Sequence, residues 1–511
     1  MIKFTTAWLL ALLLLPLARG EVAASAATPA LKPAGLFTDS MVLQRDTVVP
    51  VWGTAQPDDT VTVTFAGQTK TAQADARGQW RVQLDAMPVQ RKPQTLTIRD
   101  ARETRVFQDV LVGDVWLCSG QSNMAFRMVE AANAAQEIAA AKNPAVRYFK
   151  VGERFAQQPV TEVNGTWKQI TPDTTADCSA VAYYFAQAVQ QKLDVPIGLL
   201  VSSIGGTRIE TWMSLDTLTE LGTAKNLIEK WQGVSPEEFE RILTEYRAHQ
   251  HHIYRERPAL VKAAKEKGEP IPPEPKRPAM RGHDAPSTLH NGMIAPLQPF
   301  AIRGVLWYQG ESNVGSHGLY PTLQSALIAD WREVWGAELP FLFVQLAPHK
   351  SSTPAFREAQ FRAWQETPRT AMVVTTDVGN AENIHPIRKA PVGERLALAA
   401  FALTYGKNVE YSGPVFDQLS IDGHRAVISF KHVGKGLKAQ DGPLKGFTLA
   451  GADGKFVPAQ AEIKGATVVV TAEGVAAPVA VRFGWANVPD VNLFNRDGLP
   501  AVPFRSDRPQ K

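Results

Sequence analysis

Gly120-Gln121-Ser122-Asn123-Met124 is the segment of this chain best placed to do chemistry. An apolar run from Asp109 to Cys118 leads into it through Ser119-Gly120, and a helix-like stretch follows. A serine at such a junction points its hydroxyl out of a sheet edge. The amides of the next turn face the same point, and their partial positive charge favours a developing oxyanion. An ordinary N-cap serine has the same local appearance. The segment is not the Gly-x-Ser-x-Gly elbow, because Met124 fills the last position.

A serine hydroxyl is a weak nucleophile and needs a base within hydrogen-bond reach. Of ten histidines, His385 is the best placed, in Asp377-Val378-Gly379-Asn380-Ala381-Glu382-Asn383-Ile384-His385-Pro386. This loop follows an apolar strand pattern, Ala371 to Thr375, and precedes a helical one, Pro391 to Leu403. Ligands of α/β sheets bind beyond such strand ends. Glu382, three residues before the histidine, is the expected carboxylate that orients the ring, with Asp377 as the rival.

Two further loops supply hydrogen-bond donors. Ser202-Ser203-Ile204-Gly205-Gly206-Thr207-Arg208 carries a diglycine whose backbone can approach a ligand closely. In Trp307-Tyr308-Gln309-Gly310-Glu311-Ser312-Asn313, the side chain of Gln309 or Asn313 can donate to an oxyanion. Each loop alone reads equally well as a polar turn. Trp212, Trp307, Tyr308 and Trp364 are candidates for stacking on sugar faces, although packing is the commoner role of an aromatic ring. Arg208 suits a substrate carboxylate, or an internal pair with Glu210. His249, His251 and His252 lie on a polar helical stretch and read as a solvated face rather than a metal site.

These loops require a scaffold. Strand-like runs at Ile197 to Ser202, Gly304 to Tyr308, Phe341 to Leu346 and Ala371 to Thr375 alternate with helical patterns, as in an α/β core built on a parallel sheet. That core is expected over residues 109–408. Before it, residues 35–108 read as a β-sandwich-like module, with short Val-, Thr- and aromatic-rich runs between turn signals. After it, residues 409–505 read as a second β-rich domain. An insertion at about 214–288 begins helical, from Pro236 to about Lys267, and ends polyproline-like at residues 269–278. A lid over the substrate and a plain surface excursion both fit it.

Taken together, the blocks Gly120-Gln121-Ser122-Asn123-Met124, Gly205-Gly206-Thr207, Gln309-Gly310-Glu311-Ser312-Asn313 and Ile384-His385-Pro386 resemble those of SGNH (GDSL-type) hydrolases, in the form seen in sialate O-acetylesterase-like carbohydrate acetylesterases. Leu36 to Arg45 and Leu289 to Leu297 share the resemblance. It implies an SGNH-hydrolase-like parallel-sheet core flanked by N- and C-terminal β-rich modules. It also implies a serine esterase acting on an acetylated carbohydrate, either a sialic acid or a plant wall glycan such as xylan or xyloglucan. By the same resemblance Ser122 is the nucleophile and His385 the base. The Ser122 amide, a glycine amide at 205 or 206, and an amide side chain at 309 or 313 would hold the oxyanion. Where the wider family often has aspartate three residues before the histidine, this chain has Glu382. Such a reaction needs no metal or organic cofactor. A non-catalytic glycan-binding protein on the same core is the alternative, disfavoured by the presence of both Ser122 and His385. A lipase or thioesterase is another, disfavoured by the lack of an obvious apolar lid.

Composition is consistent with this reading. The 511 residues, 44% hydrophobic and 20% charged, fit a multi-domain globular protein. A net charge of +4, from 54 basic and 50 acidic side chains, gives no case for nucleic acid. Lys3, the apolar run Trp8 to Leu17 and Ala24-Ser25-Ala26 read as a signal peptide over residues 1–26. The mature protein is then expected in the periplasm or secreted, without a membrane anchor. Export permits a disulfide between Cys118 and Cys178, and two buried thiols are the other reading.

Overall fold

The computed structural model describes residues 30–507. The expected leader, residues 1–26, lies outside the described residues. At the centre is a mixed sheet of eleven strands. Its spine consists of β1 (Thr104–Gly120), β2 (Asn143–Lys150), β3 (Trp167–Ile170), β4 (Ile197–Ser203), β5 (Gly304–Tyr308), β6 (Phe341–Val344) and β7 (Thr370–Val373), in the order β3-β2-β4-β1-β5-β6-β7. From β2 to β7 every neighbouring pair is parallel, and β3 runs antiparallel at the edge.

Period-two alternation sends successive side chains of these strands into two cores. Trp116, Cys118, Leu306, Tyr308 and Val373 face one side, with the helices Ala180–Leu193 and Ala390–Leu403. Val115, Leu117, Trp307, Phe343 and Met372 face the other, with Tyr320–Trp335 and Pro354–Glu366. The expected helix Met128 to Ala141 is broken into a 3-10 turn, Met128–Glu130, and a short helix, Ala134–Ala140. Ala131 between them is extended, and Asn133 is left-handed at φ 58°.

Strand β1 does not stop at the expected edge of the core. It begins at Thr104 and pairs with Gln90–Arg99 and Val42–Gln44 before entering the central sheet, so the N-terminal β layer and the core share one long strand. The C-terminal segment forms two four-stranded sheets and a two-stranded one around Ile428, Leu449, Val470, Val481, Phe483 and Phe504. The insertion contains Leu215–Leu221, Lys225–Trp231, Pro236–His251 and Arg257–Lys267, and it buries Trp231, Phe239, Ile242, Leu243 and Tyr246. No described helix is long and apolar enough to cross a membrane.

Sheet register brings the chemical loops together. Gly120 at the end of β1 pairs with Ser203 of β4 on one side and Tyr308 of β5 on the other. The residues that follow all three strands therefore leave the sheet at one level of one rim.

Candidate functional site

Ser122 begins a one-turn helix, Ser122–Ala125, directly after β1. The sharp exit depends on Gly120, at φ 132°, where an added Cβ would lie 2.2 Å from the Tyr308 carbonyl oxygen. No side chain fits there. The Gln121 amide donates to that same oxygen at 2.9 Å. The buried Gln121 side chain accepts from the amides of Gly310 and Ser312 at 3.4 Å, which ties the serine turn to the loop after β5.

His385 comes from the loop beyond β7, and its Nε2 lies 2.8 Å from Ser122 Oγ. Two side chains separated by 263 residues thus share a hydrogen bond. Burial, and then the nearby Lys389, hold the imidazole below its ordinary pKa, while Glu130 acts in the opposite direction. A neutral imidazole can accept a proton from a hydroxyl within hydrogen-bond reach.

Neither expected carboxylate reaches the ring. Glu382 lies at an exposed loop tip and is drawn to Lys350 Nζ at 2.9 Å. Asp377 accepts from Arg395 through both oxygens at 2.7 Å, fastening the start of the loop to the helix Ala390–Leu403. Among the described residues no carboxylate hydrogen-bonds His385.

The histidine loop is instead held from beneath by a cluster that the sequence reading missed. Asn123, 1% exposed, donates through Nδ2 to the Ile384 carbonyl at 3.1 Å and to Glu311 Oε1 at 2.5 Å. Its Oδ1 accepts from Lys389 Nζ at 2.5 Å. The Lys389 ammonium sits over the rings of Phe126 and Tyr308, 4.7 and 5.4 Å from their centroids. Burial lowers the Lys389 pKa to about 7 and raises that of Glu311. The available signal was Lys389 four residues after the histidine and Asn123 next to the serine.

On the other side of Ser122 stands the Gly205–Gly206 turn. A Cβ on Gly205 would lie 3.2 Å from that of Ser122. Among the described residues no backbone carbonyl accepts from the amides of Ser122, Gly205 or Gly206.

The expected side-chain donors both have partners within the protein. Gln309 is fully buried and gives its Nε2 to the Thr207 carbonyl at 3.1 Å and to Asn313 Oδ1 at 2.8 Å. Asn313 spends its own Nδ2 on Glu210 at 2.9 Å and accepts from the Ile209 amide. Buried amides must find partners, and these two found theirs in the neighbouring turn. They therefore tie the loop after β5 to the turn at Thr207–Glu210. Arg208 pairs with Glu210 at 2.7 Å and with Ser316 Oγ at 3.2 Å. Trp212, Trp307 and Tyr308 are at most 1% exposed and form packing, not a sugar platform. Trp364 donates to the Thr370 carbonyl and packs 6.1 Å from the ring of His432. Cys118 and Cys178 are both buried free thiols.

A cleft of about 810 Å³ opens beside the serine turn, lined by Ala125, Lys150, Lys168, Ser203, Gly205 and His283 among others. Among the described residues no group of three or more metal-ligating side chains is present.

Residues 112–249 and 281–402 match the family profile described as carbohydrate esterase, sialic acid-specific acetylesterase. The mouse sialate O-acetylesterase is 30% identical, over 92% of this chain and 93% of its own length. The human protein of the same name is also 30% identical, over 92% and 91%. Among solved structures, a carbohydrate acetylesterase from Xanthomonas citri superposes with a TM-score of 0.79 at 37% identity, covering 94% of this chain and all of its own.

Proposed function

Because the chain belongs to the sialic acid-specific acetylesterase family of carbohydrate esterases and removes O-acetyl groups from sugars, we propose that it does so through a covalent serine intermediate, with Ser122 as nucleophile and His385 as base on an SGNH-type core. The 2.8 Å contact between His385 Nε2 and Ser122 Oγ carries this reading. Oγ attacks the acetyl carbonyl as its proton passes to Nε2. The amides of Ser122 and of the Gly205–Gly206 turn receive the oxyanion. The ester C–O bond breaks, and the sugar oxygen leaves with the proton from Nε2. Water then attacks the acetyl-serine, giving its proton to His385. Acetate departs and the proton returns to Oγ.

The pair works as a dyad. Asn123 places the histidine by holding the adjacent Ile384 carbonyl, and Glu382 has no part in the chemistry. O-acetylated sialic acid is the leading substrate, from the family and the names of the relatives, and acetylated wall glycans remain the comparison. The leader-like residues 1–26 support export to the periplasm or medium, which N-terminal sequencing of the mature protein checks.

The decisive test is S122A. Acetate release from 4-nitrophenyl acetate and from acetylated sugars should fall by about three orders of magnitude or more, and labelling by a fluorophosphonate should vanish. Turnover retained by a folded S122A protein would remove Ser122 from the mechanism.

A further inference from the structure

The Gly205–Gly206 turn poses a physical problem. Two consecutive glycines allow the close approach to Ser122, yet they are the most mobile pair of residues the chain can place there. Oxyanion donors are effective only when they already point at the place where charge develops. The turn therefore needs an external hold, and the insertion supplies one.

His283 Nδ1 lies 3.1 Å from the Gly205 carbonyl oxygen. A carbonyl only accepts, so Nδ1 carries the proton in this contact. The ring is held on two further sides, and the residue before it is packed tightly. It stacks on Phe155, with centroids 4.9 Å apart and planes 14° from parallel. Tyr246 meets it edge-on at 4.6 Å. Behind it, Gly282 lies so close to Leu243 of the helix Pro236–His251 that an added Cβ would overlap that side chain at 2.0 Å. The imidazole thus has little freedom to leave its carbonyl. The two ends of one trans peptide point in opposite directions, so fixing the Gly205 C=O also fixes the Gly206 N–H.

Resting on the esterase reading above, we propose that His283, carried by the insertion, is a positioning residue that holds the Gly205–Gly206 turn with its amides presented to the oxyanion. The segment that carries His283 then serves catalysis as a brace for the glycine turn. Burial pushes the His283 pKa down to about 4, so the ring stays neutral while the esterase works. It exchanges no proton in the cycle.

The test is a pair of substitutions. H283F keeps an aromatic ring against Phe155 and removes the donor. H283N puts an amide N–H near the position of Nδ1. We expect H283F to lose about 10- to 100-fold in kcat, somewhat less than the loss of a whole oxyanion donor, with KM within about threefold of wild type. Its fluorophosphonate labelling should slow in parallel. The acidic limb of its pH profile should not move, because His385 is untouched. H283N should recover a large part of the loss. Wild-type kcat in a folded H283F protein overturns the proposal, and so does an H283N variant no better than H283F. S122A keeps the two readings apart: turnover without Ser122 defeats the esterase mechanism, whereas a dead S122A beside a fully active H283F defeats only the role of His283.

Discussion

Two loops meet at Ser122, and opposite kinds of chemistry hold them. The His385 loop rests on buried charge and amide: Asn123 joins the Ile384 carbonyl, Glu311 and Lys389 in one cluster. The Gly205–Gly206 turn rests on neutral groups, a histidine stacked on Phe155, met edge-on by Tyr246 and donating to a carbonyl. The base side has titrating neighbours within its support. The oxyanion side has a support that stays neutral above about pH 4. Damage to the first should therefore change both rate and pH dependence, and damage to the second should change rate alone.

Asn123 offers the hardest blow to that contrast. Replacing it with alanine strands the Ile384 carbonyl, the Lys389 ammonium and one Glu311 oxygen without their partner in a buried place. The expected cost is on the order of 3 kcal/mol of stability, read as a lower midpoint in urea. kcat should fall by about 100-fold as the imidazole loses its fixed approach to Oγ. An N123A protein with normal kcat would show that the histidine loop holds itself without the buried cluster.

Lys389 sharpens the contrast through pH. His385 is lowered by burial and by Lys389, raised by Glu130, and lowered slightly by His349. In the proposed mechanism His385 must be neutral to accept the serine proton. Removing the lysine charge in K389M raises the His385 pKa, so the acidic limb of kcat/KM should move to higher pH. E130Q removes the opposing charge and should move the limb the other way. Wild-type limbs in both variants would mean that these charges do not reach the ring. H283F, on the oxyanion side, provides the unshifted reference.

The same contrast explains what could be read from sequence. The meeting of the Ser122, His385 and diglycine loops was legible because each follows the end of an apolar strand, and register then carries Gly120, Ser203 and Tyr308 to one level. Trp307 and Tyr308 misled for the same reason. They are adjacent in a strand buried on both faces, so one enters each core and neither meets solvent. Gln309 and Asn313 have the right donor chemistry, but burial made internal satisfaction outweigh ligand contact. His283 acts on a carbonyl 78 residues away, from a segment whose composition suggested no more than a surface excursion or a lid.

Glu382 is where the smallest effect is expected, and that small effect still discriminates. Spacing alone made it the natural orienter of His385, but spacing within a loop does not fix where a flexible carboxylate goes. Lys350, remote in sequence, offers a cation at 2.9 Å and holds the carboxyl below its usual range. The pair is exposed, and such pairs contribute little. E382Q should therefore keep kcat within about twofold of wild type and leave the acidic limb in place. The triad assignment demands the opposite, since losing the acid from a Ser-His-acid set lowers kcat by about four orders of magnitude. A large fall in E382Q would mean that the loop turns over when substrate binds and brings Glu382 to the imidazole. The base side would then be built from charge at its tip as well as beneath it.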